Sequence, residues 1–326
     1  MQTPRDILTP ETLSMLQAVA DGGSFAAAAR RLGLVPSALT YRVRQVEDAL
    51  DVLLFDRSSR QARLTEAGTE LLREGERLLQ EVDAVANRVK RVTTGWEPQF
   101  TIAADGIVSR TVLLDLAEAF LAQNPPTRLR VRDEILSGTL EALVSGQADL
   151  AIGVVFESGT AANIQSRALG EMAFAYVVAP HHPLAQAPEP LCDQTIARHR
   201  AVAVADTVQR GAGITVGLLK GQDVFTVSSL QEKLQAQLRG IGGGFLPEHM
   251  ARPYLTTGRL VAKAVERPAR TITVRYAWRG SVGQKPGRAL LWWLNRLENR
   301  TTQIALLQGQ PFESMPHAFP AEPERR

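Results

Sequence analysis

The sequence predicts a multidomain protein: an all-α N-terminal domain with a small hairpin, a long linker helix, and a two-lobed α/β domain. Three observations predict this architecture. Short helical segments separated by glycine and proline fill residues 1–65, and an apolar pattern with a period near 3.5 runs through residues 66–95. From residue 96 strand and helix patterns alternate, which indicates a parallel sheet covered by helices.

Composition limits the classes of protein to which this chain can belong. Its 326 residues exceed what one small core needs and suit two or three domains. No run approaches eighteen apolar residues, and the N-terminus has no apolar signal core, so neither a membrane span nor export is expected. Cys192 is the single cysteine, so an intramolecular disulfide is impossible. That fits a reducing cytoplasm.

Three helices are expected in the first fifty residues, after a loose lead-in over residues 1–8. Thr9 and Pro10 provide the capping hydroxyl and first-turn proline of the first helix. Ser24 caps a second helix rich in alanine, which allows a partner helix to approach closely, and Gly33 supplies its C-terminal stop. The third helix begins near Pro36.

The third helix has two faces. Its apolar residues recur every three or four positions and should face a core: Leu39, Val43, Val46 and Leu50. Polar residues fall on the opposite side, namely Ser37, Tyr41, Arg44 and Asp48, and Thr40 and Arg42 flank the apolar stripe. A helix of this size fits the major groove of B-DNA, where its exposed N-terminal residues meet base edges.

This region resembles the winged helix-turn-helix of LysR-type transcriptional regulators. The resemblance lies in Ala26-Ala27-Ala28 before Leu32, Pro36 to Thr40, Val46-Glu47, Leu54 to Arg57, Arg60, and Leu64 to Gly68. One position departs from the family pattern, because Tyr41 lies where many members carry arginine. The resemblance and the helix geometry together predict these DNA-binding residues: Pro36, Ser37, Ala38, Thr40, Tyr41, Arg42, Arg44, Arg57, Arg60 and Thr65. Arg60, at the tip of the wing, suits the minor groove.

The apolar pattern of the linker helix predicts a helix–helix seam. Positions 71, 75, 78, 82, 85, 89 and 92 follow steps of four and three residues over three heptads. Gly75 contributes no side chain to the seam. The candidate dimerisation residues are therefore Leu71, Leu78, Val82, Val85 and Val89. A homodimer or homotetramer would present two reading helices to a dyad-symmetric promoter site.

The remainder resembles the family's effector-binding domain, a fold of the periplasmic binding protein type II kind. The resemblance lies in Glu134, Ser137, Leu140, Leu143, Gly146 and Ala148 to Ile152, whereas Ile135 replaces a glycine common in the family. Chain crossings near residues 169–180 and 271–278 predict lobe I at about 96–168 and 269–301 and lobe II at about 169–268. The tail, residues 302–326, has no helical or strand pattern and is predicted to be disordered.

The effector cleft is expected at the carboxyl ends of the strands. That rule selects the candidates Asp105, Ser109, Ser137, Thr139, Asp206, Thr207, Ser228 and Gly244. Ser137 is the leading candidate, because its place in the family pattern is a frequent ligand contact. Helix N-termini with hydroxyls suit an anionic ligand, but Asp105 would oppose one, so a neutral or hydroxylated effector remains an alternative.

Enzyme chemistry, a metal and a cofactor other than the small-molecule effector are not expected. The glycine run 240–244 follows a helix and precedes a strand, the reverse of a phosphate-binding loop. The five histidines and Cys192 have no metal-ligand spacing. The predicted function is an effector-responsive DNA-binding regulator, which contacts RNA polymerase if it activates transcription. The alternatives are a ligand-binding module that acts by protein contact without reading DNA, and an enzyme that turns over the cleft ligand.

Overall fold

The computed structural model describes residues 3–56, 62–155, 163–208, 213–268, 270–280 and 285–309. Its contacts divide the chain into two compact units, Met1–Arg88 and Val89–Arg326. Across the described ranges, no helix combines the length and the apolar character needed to cross a membrane.

The N-terminal unit contains four short helices, a hairpin and most of a long helix. They are α1 (Pro4–Ile7), α2 (Pro10–Gly22), α3 (Phe25–Leu32), α4 (Pro36–Leu50), β1 (Phe55–Asp56), β2 (Arg63–Leu64) and α5 (Glu66–Thr94). The two strands pair antiparallel. Helices α2 to α5 begin and end within a residue or two of the predicted positions. The lead-in is the exception, because Thr3 and Asp6 form a capping box and Ile7 is buried, so residues 4–7 form a helix.

Local capping explains the tight arrangement of α3 and α4. The Ser24 hydroxyl accepts a hydrogen bond from the amide of Ala27 at 3.2 Å, and Gly33 ends α3 with φ of 66°. Below them, Leu39 and Val43 are completely buried. Each such side chain contributes roughly 1.5–3 kcal/mol of burial free energy, which holds α4 firmly on this core.

The second unit is built on a mixed seven-stranded sheet. Its elements are β3 (Gln99–Asp105), α6 (Arg110–Leu121), β4 (Arg128–Glu134), α7 (Ser137–Val144), β5 (Leu150–Val154), β6 (Ile164–Val178), α8 (Asp193–Ala197), β7 (Ala201–Val204), β8 (Val224–Val227), α9 (Leu230–Leu238), β9 (Gly244–Pro247), α10 (Glu248–Thr256), β10 (Val261–Lys263), β11 (Arg270–Arg279), α11 (Arg288–Glu298) and α12 (Arg300–Gln308). Strand order is β10-β6-β11-β5-β3-β4, with β9 also paired to β6, and β7 and β8 form a separate parallel pair.

Two strands connect the lobes of this unit. The first part of β6 pairs antiparallel with β11, and its last part pairs with β9 and β10. The register of β6 and β11 shifts between Val274 and Arg275, opposite Gly170 and Ala168. Lobe I therefore contains β3, β4 and β5, lobe II contains β7 to β10, and β6 and β11 run between them.

The predicted disorder from residue 302 is wrong for the first part of the tail. Helix α12 continues to Gln308, and Ala305 and Leu306 are completely buried in the core of lobe I. The Asn299 side chain caps the helix, and the carbonyl of Leu306 accepts a hydrogen bond from the amide of Ser109 at 2.8 Å. The apolar run is only two turns long, too short to indicate a helix without this docking site. Residues 310–326 lie outside the described part of the chain.

Candidate DNA-reading surface and effector cleft

The N-terminal half of α4 presents an open face. Pro36, Ser37 and Arg44 are exposed, and 64% of Tyr41 is accessible to solvent. Ala38 is half-buried. The apolar residues on the opposite face of α4 lie in the core, so the helix that carries the exposed groups is well packed. This arrangement gives hydroxyl, phenol and guanidinium groups a fixed geometry from which base edges or phosphates are within reach.

Several of the predicted reading residues already have partners within the N-terminal unit. The Thr40 hydroxyl donates to the carbonyl of Pro36 at 2.9 Å, and the Tyr41 hydroxyl accepts from the Gln45 side-chain amide at 3.3 Å. The Arg42 guanidinium pairs with Glu11 of α2 at 3.2 Å. Since Arg42 is drawn towards α2, Arg44 is the cation best placed on the outward face of α4.

Thr65 has a clear structural role at the start of α5. Its hydroxyl donates to the carbonyl of Leu53 at 2.7 Å and accepts from the amide of Gly68 at 3.0 Å. It caps the helix and holds the end of the hairpin. The predicted wing residues Arg57 and Arg60 lie outside the described residues, and their contacts with DNA stay predictions.

The predicted seam of α5 divides into two parts. Leu71 packs against the core of the N-terminal unit, and a side chain on Gly75 would come within 2.8 Å of Leu13. Leu71 is therefore partly covered within its own chain, and its place in the dimer seam stays a prediction. The later positions remain solvent-exposed by 46–87% and form what we call the linker stripe: Leu78, Val82, Val85, Val89 and Val92.

A cavity of about 70 Å³ lies between the two lobes of the second unit. It is mostly apolar, with one acidic and one basic side chain: Asp105, Ile107, Ile135, Leu136, Val155, Phe174, Val204, Val216, Leu230, Lys233, Phe245 and Ile272. Of the eight residues predicted to bind the effector, Asp105 lines this cavity, and the other seven are absent from its lining.

The carboxylate of Asp105 is almost completely buried and well hydrogen-bonded. It accepts from the amide of Ile107 at 3.0 Å, the amide of Leu136 at 2.7 Å and the hydroxyl of Thr139 at 3.2 Å. Burial raises its pKa to about 6, although these three donors and the charge of Arg110 act in the opposite direction. Asp105 thus holds together the strand ends of lobe I. Because its pKa is raised, a smaller fraction of it is ionised at neutral pH than of an exposed carboxylate.

Asp206 of lobe II is bound by lobe I. Its carboxylate accepts from the Ser137 hydroxyl at 2.5 Å and from the amide of Gly138 at 3.2 Å. The amides of Val208 and Ile214 donate to it from lobe II. Partial burial alone would raise the pKa of Asp206, but these four hydrogen bonds outweigh it and hold the pKa below its usual value. The N-terminus of α7 therefore already holds a carboxylate of the chain itself.

Thr207 extends the contact between the lobes. Its hydroxyl donates to Glu134 at 2.7 Å and accepts from the amide of Ile135 at 2.9 Å. A side chain at Gly138 would overlap Thr207, so glycine is required for this close approach. We call the group Glu134, Ser137, Gly138, Asp206 and Thr207 the inter-lobe latch.

The remaining predicted effector residues have structural partners. Ser109 caps α6 through the amide of Val112 at 3.4 Å. The amide and hydroxyl of Ser228 both donate to Glu232, and the carbonyl of Gly244 accepts from the Gln237 side chain at 2.9 Å. Whether any of them contacts an effector stays a prediction.

Sequence reasoning did not identify the apolar lining or its basic residue. Phe174, Phe245 and Ile272 come from the strands β6, β9 and β11, which meet only in the folded sheet. One feature of the sequence could have indicated Lys233. It falls on the same face of α9 as Leu230 and Gln237, and that face is turned inward. A lysine on the buried face of an amphipathic helix is unusual enough to mark a functional candidate.

Together these features define a class of protein: a helix-turn-helix transcriptional regulator with a two-lobed ligand-binding domain. Residues 10–69 match the profile of bacterial regulatory helix-turn-helix proteins of the lysR family, and residues 93–301 match the LysR substrate binding domain. The chain belongs to the LysR family of transcriptional regulators.

Relatives match over nearly the full chain. The chain is 36% identical to the uncharacterized HTH-type transcriptional regulator YeeY of Escherichia coli strain K12, over 88% of this chain and 92% of YeeY. It is 37% identical to the probable HTH-type transcriptional regulator YhaJ of the same strain, over 89% of this chain and 96% of YhaJ.

Solved structures agree in fold. Full-length CbnR in complex with its target DNA matches with a TM-score of 0.59 and 17% identity, over 90% of this chain and 99% of CbnR. Full-length LysG of Corynebacterium glutamicum with the bound effector arginine matches with a TM-score of 0.50 and 23% identity, over 92% of this chain and 99% of LysG.

Proposed function

We propose that the protein regulates transcription by inserting the N-terminal half of α4 into the major groove of a promoter site. The observation that carries the proposal is the open polar face of α4, with Ser37, Tyr41 and Arg44 exposed above completely buried core residues. Arg44 would contact a guanine edge or a phosphate, and Ser37 a phosphate or base edge near the helix N-terminus. CbnR, solved with its target DNA, has the same overall fold.

Two copies would read the two halves of a dyad-symmetric site. The linker stripe supports this step, because Leu78, Val82 and Val85 leave a long apolar strip on α5 open to solvent. Pairing α5 with a second copy would bury the strip and double the number of base contacts. The assembly is a homodimer, or a homotetramer made of two such pairs.

A small molecule in the inter-lobe cavity would control this binding. Its entry changes how the two lobes of the second unit close, and the change reaches the DNA-reading units through the dimer. LysG, with bound arginine, is an example of an effector-bound protein of this fold. The protein would act in the cytoplasm, leave the effector chemically unchanged, and contact RNA polymerase if it activates transcription.

Fluorescence anisotropy tests the proposal with a labelled duplex from the region upstream of the protein's own gene. Binding should be at least about a thousandfold tighter than to a scrambled duplex at 0.15 M salt, and it should weaken steeply as salt rises. Equal affinity for both duplexes would refute sequence-specific reading and favour regulation by protein contact. A candidate effector recovered as a chemically altered product would instead indicate an enzyme.

A further inference from the structure

We propose that the effector is a compact, largely apolar anion whose charged group binds the ammonium of Lys233. This inference rests on the proposed function of the inter-lobe cavity as the effector site. It adds the chemical class of the ligand and the residue that selects it.

The apolar lining requires a mainly apolar body. Aromatic rings of Phe174 and Phe245 and aliphatic side chains such as Ile107 and Ile272 line the cavity. A polar group placed against these side chains would lose its hydrogen bonds to water without replacement, which is costly. The ligand therefore carries its polar atoms at one end, opposite a polar side chain of the lining.

The N-terminus of α7 is not available for that polar end. An anion would ordinarily be placed there, because a helix N-terminus and the Ser137 hydroxyl both donate hydrogen bonds. In this chain Asp206 accepts both the Ser137 hydroxyl and the amide of Gly138. To bind there, a ligand carboxylate would have to displace the carboxylate of Asp206. Two backbone amides of lobe II, from Val208 and Ile214, also hold Asp206 in place.

Asp105 is a poor partner for a cationic ligand. Its two carboxylate oxygens already accept three hydrogen bonds, from two backbone amides and the Thr139 hydroxyl. A ligand ammonium would compete with these donors and with the nearby positive charge of Arg110. The acidic side chain in the lining is thus committed to the structure of lobe I.

Lys233 remains as the charged group that selects the ligand. It is 8% exposed, it lines the cavity, and its ammonium lies beside the backbone of Gly244, where an added side chain would come within 3.4 Å of Nζ. An ammonium has three hydrogen-bond donors, so a ligand oxygen is accommodated alongside protein partners. In a cavity of low polarity, an anion on a buried ammonium forms a charge-assisted hydrogen bond, which is stronger than a neutral one.

The size of the cavity limits the ligand. A volume of about 70 Å³ corresponds to roughly five to seven water-sized groups at about 10–15 Å³ each. A short branched or small cyclic carboxylate matches this volume.

Isothermal titration calorimetry on the full chain provides the test, with three probes of one shape: 3-methylbutanoate, its neutral amide 3-methylbutanamide, and 3-methylbutylamine. The carboxylate should bind at least about tenfold more tightly than the amide, since a hydrogen bond to a charged group replaces one to a neutral group. The amine should bind more weakly still. Equal binding of carboxylate and amide, preference for the amine, or absence of binding by all three would overturn the proposal.

Variants locate the charged group of the ligand. Lys233→Met should weaken carboxylate binding at least about tenfold while leaving amide binding nearly unchanged, and the exposed-lysine control Lys285→Met should bind both probes as the unmodified protein does. Ser137→Ala should retain carboxylate binding. Loss of carboxylate binding in Ser137→Ala with full binding in Lys233→Met would overturn the proposal, because it would place the anion at α7. If Lys233→Met does not fold, the comparison of the three probes on the unmodified chain decides whether the cavity prefers an anion.

The same preparations should be assayed for DNA binding by anisotropy. Sequence-specific DNA binding together with no preference for the carboxylate refutes the ligand class and leaves the regulator function intact. Absence of sequence-specific DNA binding refutes the proposed function, whichever probe binds.

Discussion

At the scale of single residues, the structure separates groups that face outward from groups that hold the fold. Arg44 and Arg42 are two positions apart in α4, but Arg42 is paired with Glu11 and Arg44 lies on the open face. Periodicity predicted this difference, because it placed Arg44 opposite the apolar stripe and Arg42 at its edge. The pairing with Glu11 could not be predicted, because it depends on how α2 packs against α4.

Arg44→Ala should reduce discrimination between the specific and the scrambled duplex by about 1–3 kcal/mol, provided that Arg44 contacts a base. Anisotropy titrations with both duplexes measure the effect. Arg77→Ala, which removes an exposed arginine from α5, serves as the charge-matched control and should retain discrimination. An equal loss on both duplexes after Arg44→Ala would identify a phosphate contact and contradict base reading.

A half-buried histidine gives the second unit a predictable response to acid. Burial, and to a lesser extent the charge of Arg252, lower the pKa of His249 to about 4, and its Nδ1 atom is buried without a hydrogen-bond partner in the described structure. The unfolded chain therefore takes up a proton at this site at higher pH than the folded one. Its contribution to stability is complete above about pH 6.5 and is lost as the pH falls towards 4.

Between pH 7 and pH 5, the unmodified protein should lose about 2 kcal/mol more unfolding free energy than His249→Gln does. Urea denaturation of the full chain at the two pH values measures the difference. If His249→Gln loses as much stability as the unmodified protein between pH 7 and 5, the histidine does not account for the acid sensitivity.

At the scale of secondary-structure elements, apolar patterns predicted several helices and strands at their observed places but did not predict α8 or α10. Helix α4 and strand β9 lie where the pattern placed them. Helix α12 was missed because its burial is provided by other parts of lobe I, which no local pattern contains. The heptad pattern of α5 covers two environments: Leu71 packs on the core of the N-terminal unit, and the later positions are exposed.

Leu78→Asp should disrupt the proposed pairing of α5, because it places a charge in the middle of an apolar seam. Sedimentation velocity should show a smaller assembly than for the unmodified protein. Leu53→Asp introduces the same charge at an exposed leucine away from the linker stripe and should leave the assembly unchanged. Unaltered sedimentation of Leu78→Asp would contradict the seam.

At the scale of the whole molecule, the sequence predicted a cleft at the carboxyl ends of the strands, and the structure has a cavity between the two lobes. Its use as the effector site stays a prediction. The rule that ligands bind at strand carboxyl ends selected Asp105, Ser137 and Asp206, which the structure does bring together. It could not show that Ser137 and Asp206 bind each other, because they are far apart in sequence and on different lobes. Charge and hydroxyls alone therefore selected residues that contact each other across the two lobes.

Asp206→Asn should loosen the closure of the lobes, since an amide cannot accept hydrogen bonds from four donors as a carboxylate does. Hydrogen–deuterium exchange should become about tenfold faster in peptides covering Ile135 to Gly138, because one hydrogen bond to a charged group is worth about 1.5–3 kcal/mol. Asp223→Asn removes an exposed carboxylate that pairs with Arg200 and should leave these peptides unchanged. Equal exchange in the two variants would show that the latch does not hold the lobes.

The pairing of β6 with β11 also determines how the lobes can move. Both strands pass from one lobe to the other side by side, and their register shifts once, next to Gly170. A ribbon of two hydrogen-bonded strands resists sliding, because slipping by one residue would turn every side chain to the opposite face. It bends more readily at a bulge. The lobes of this protein should therefore rock about a flexure point near Gly170.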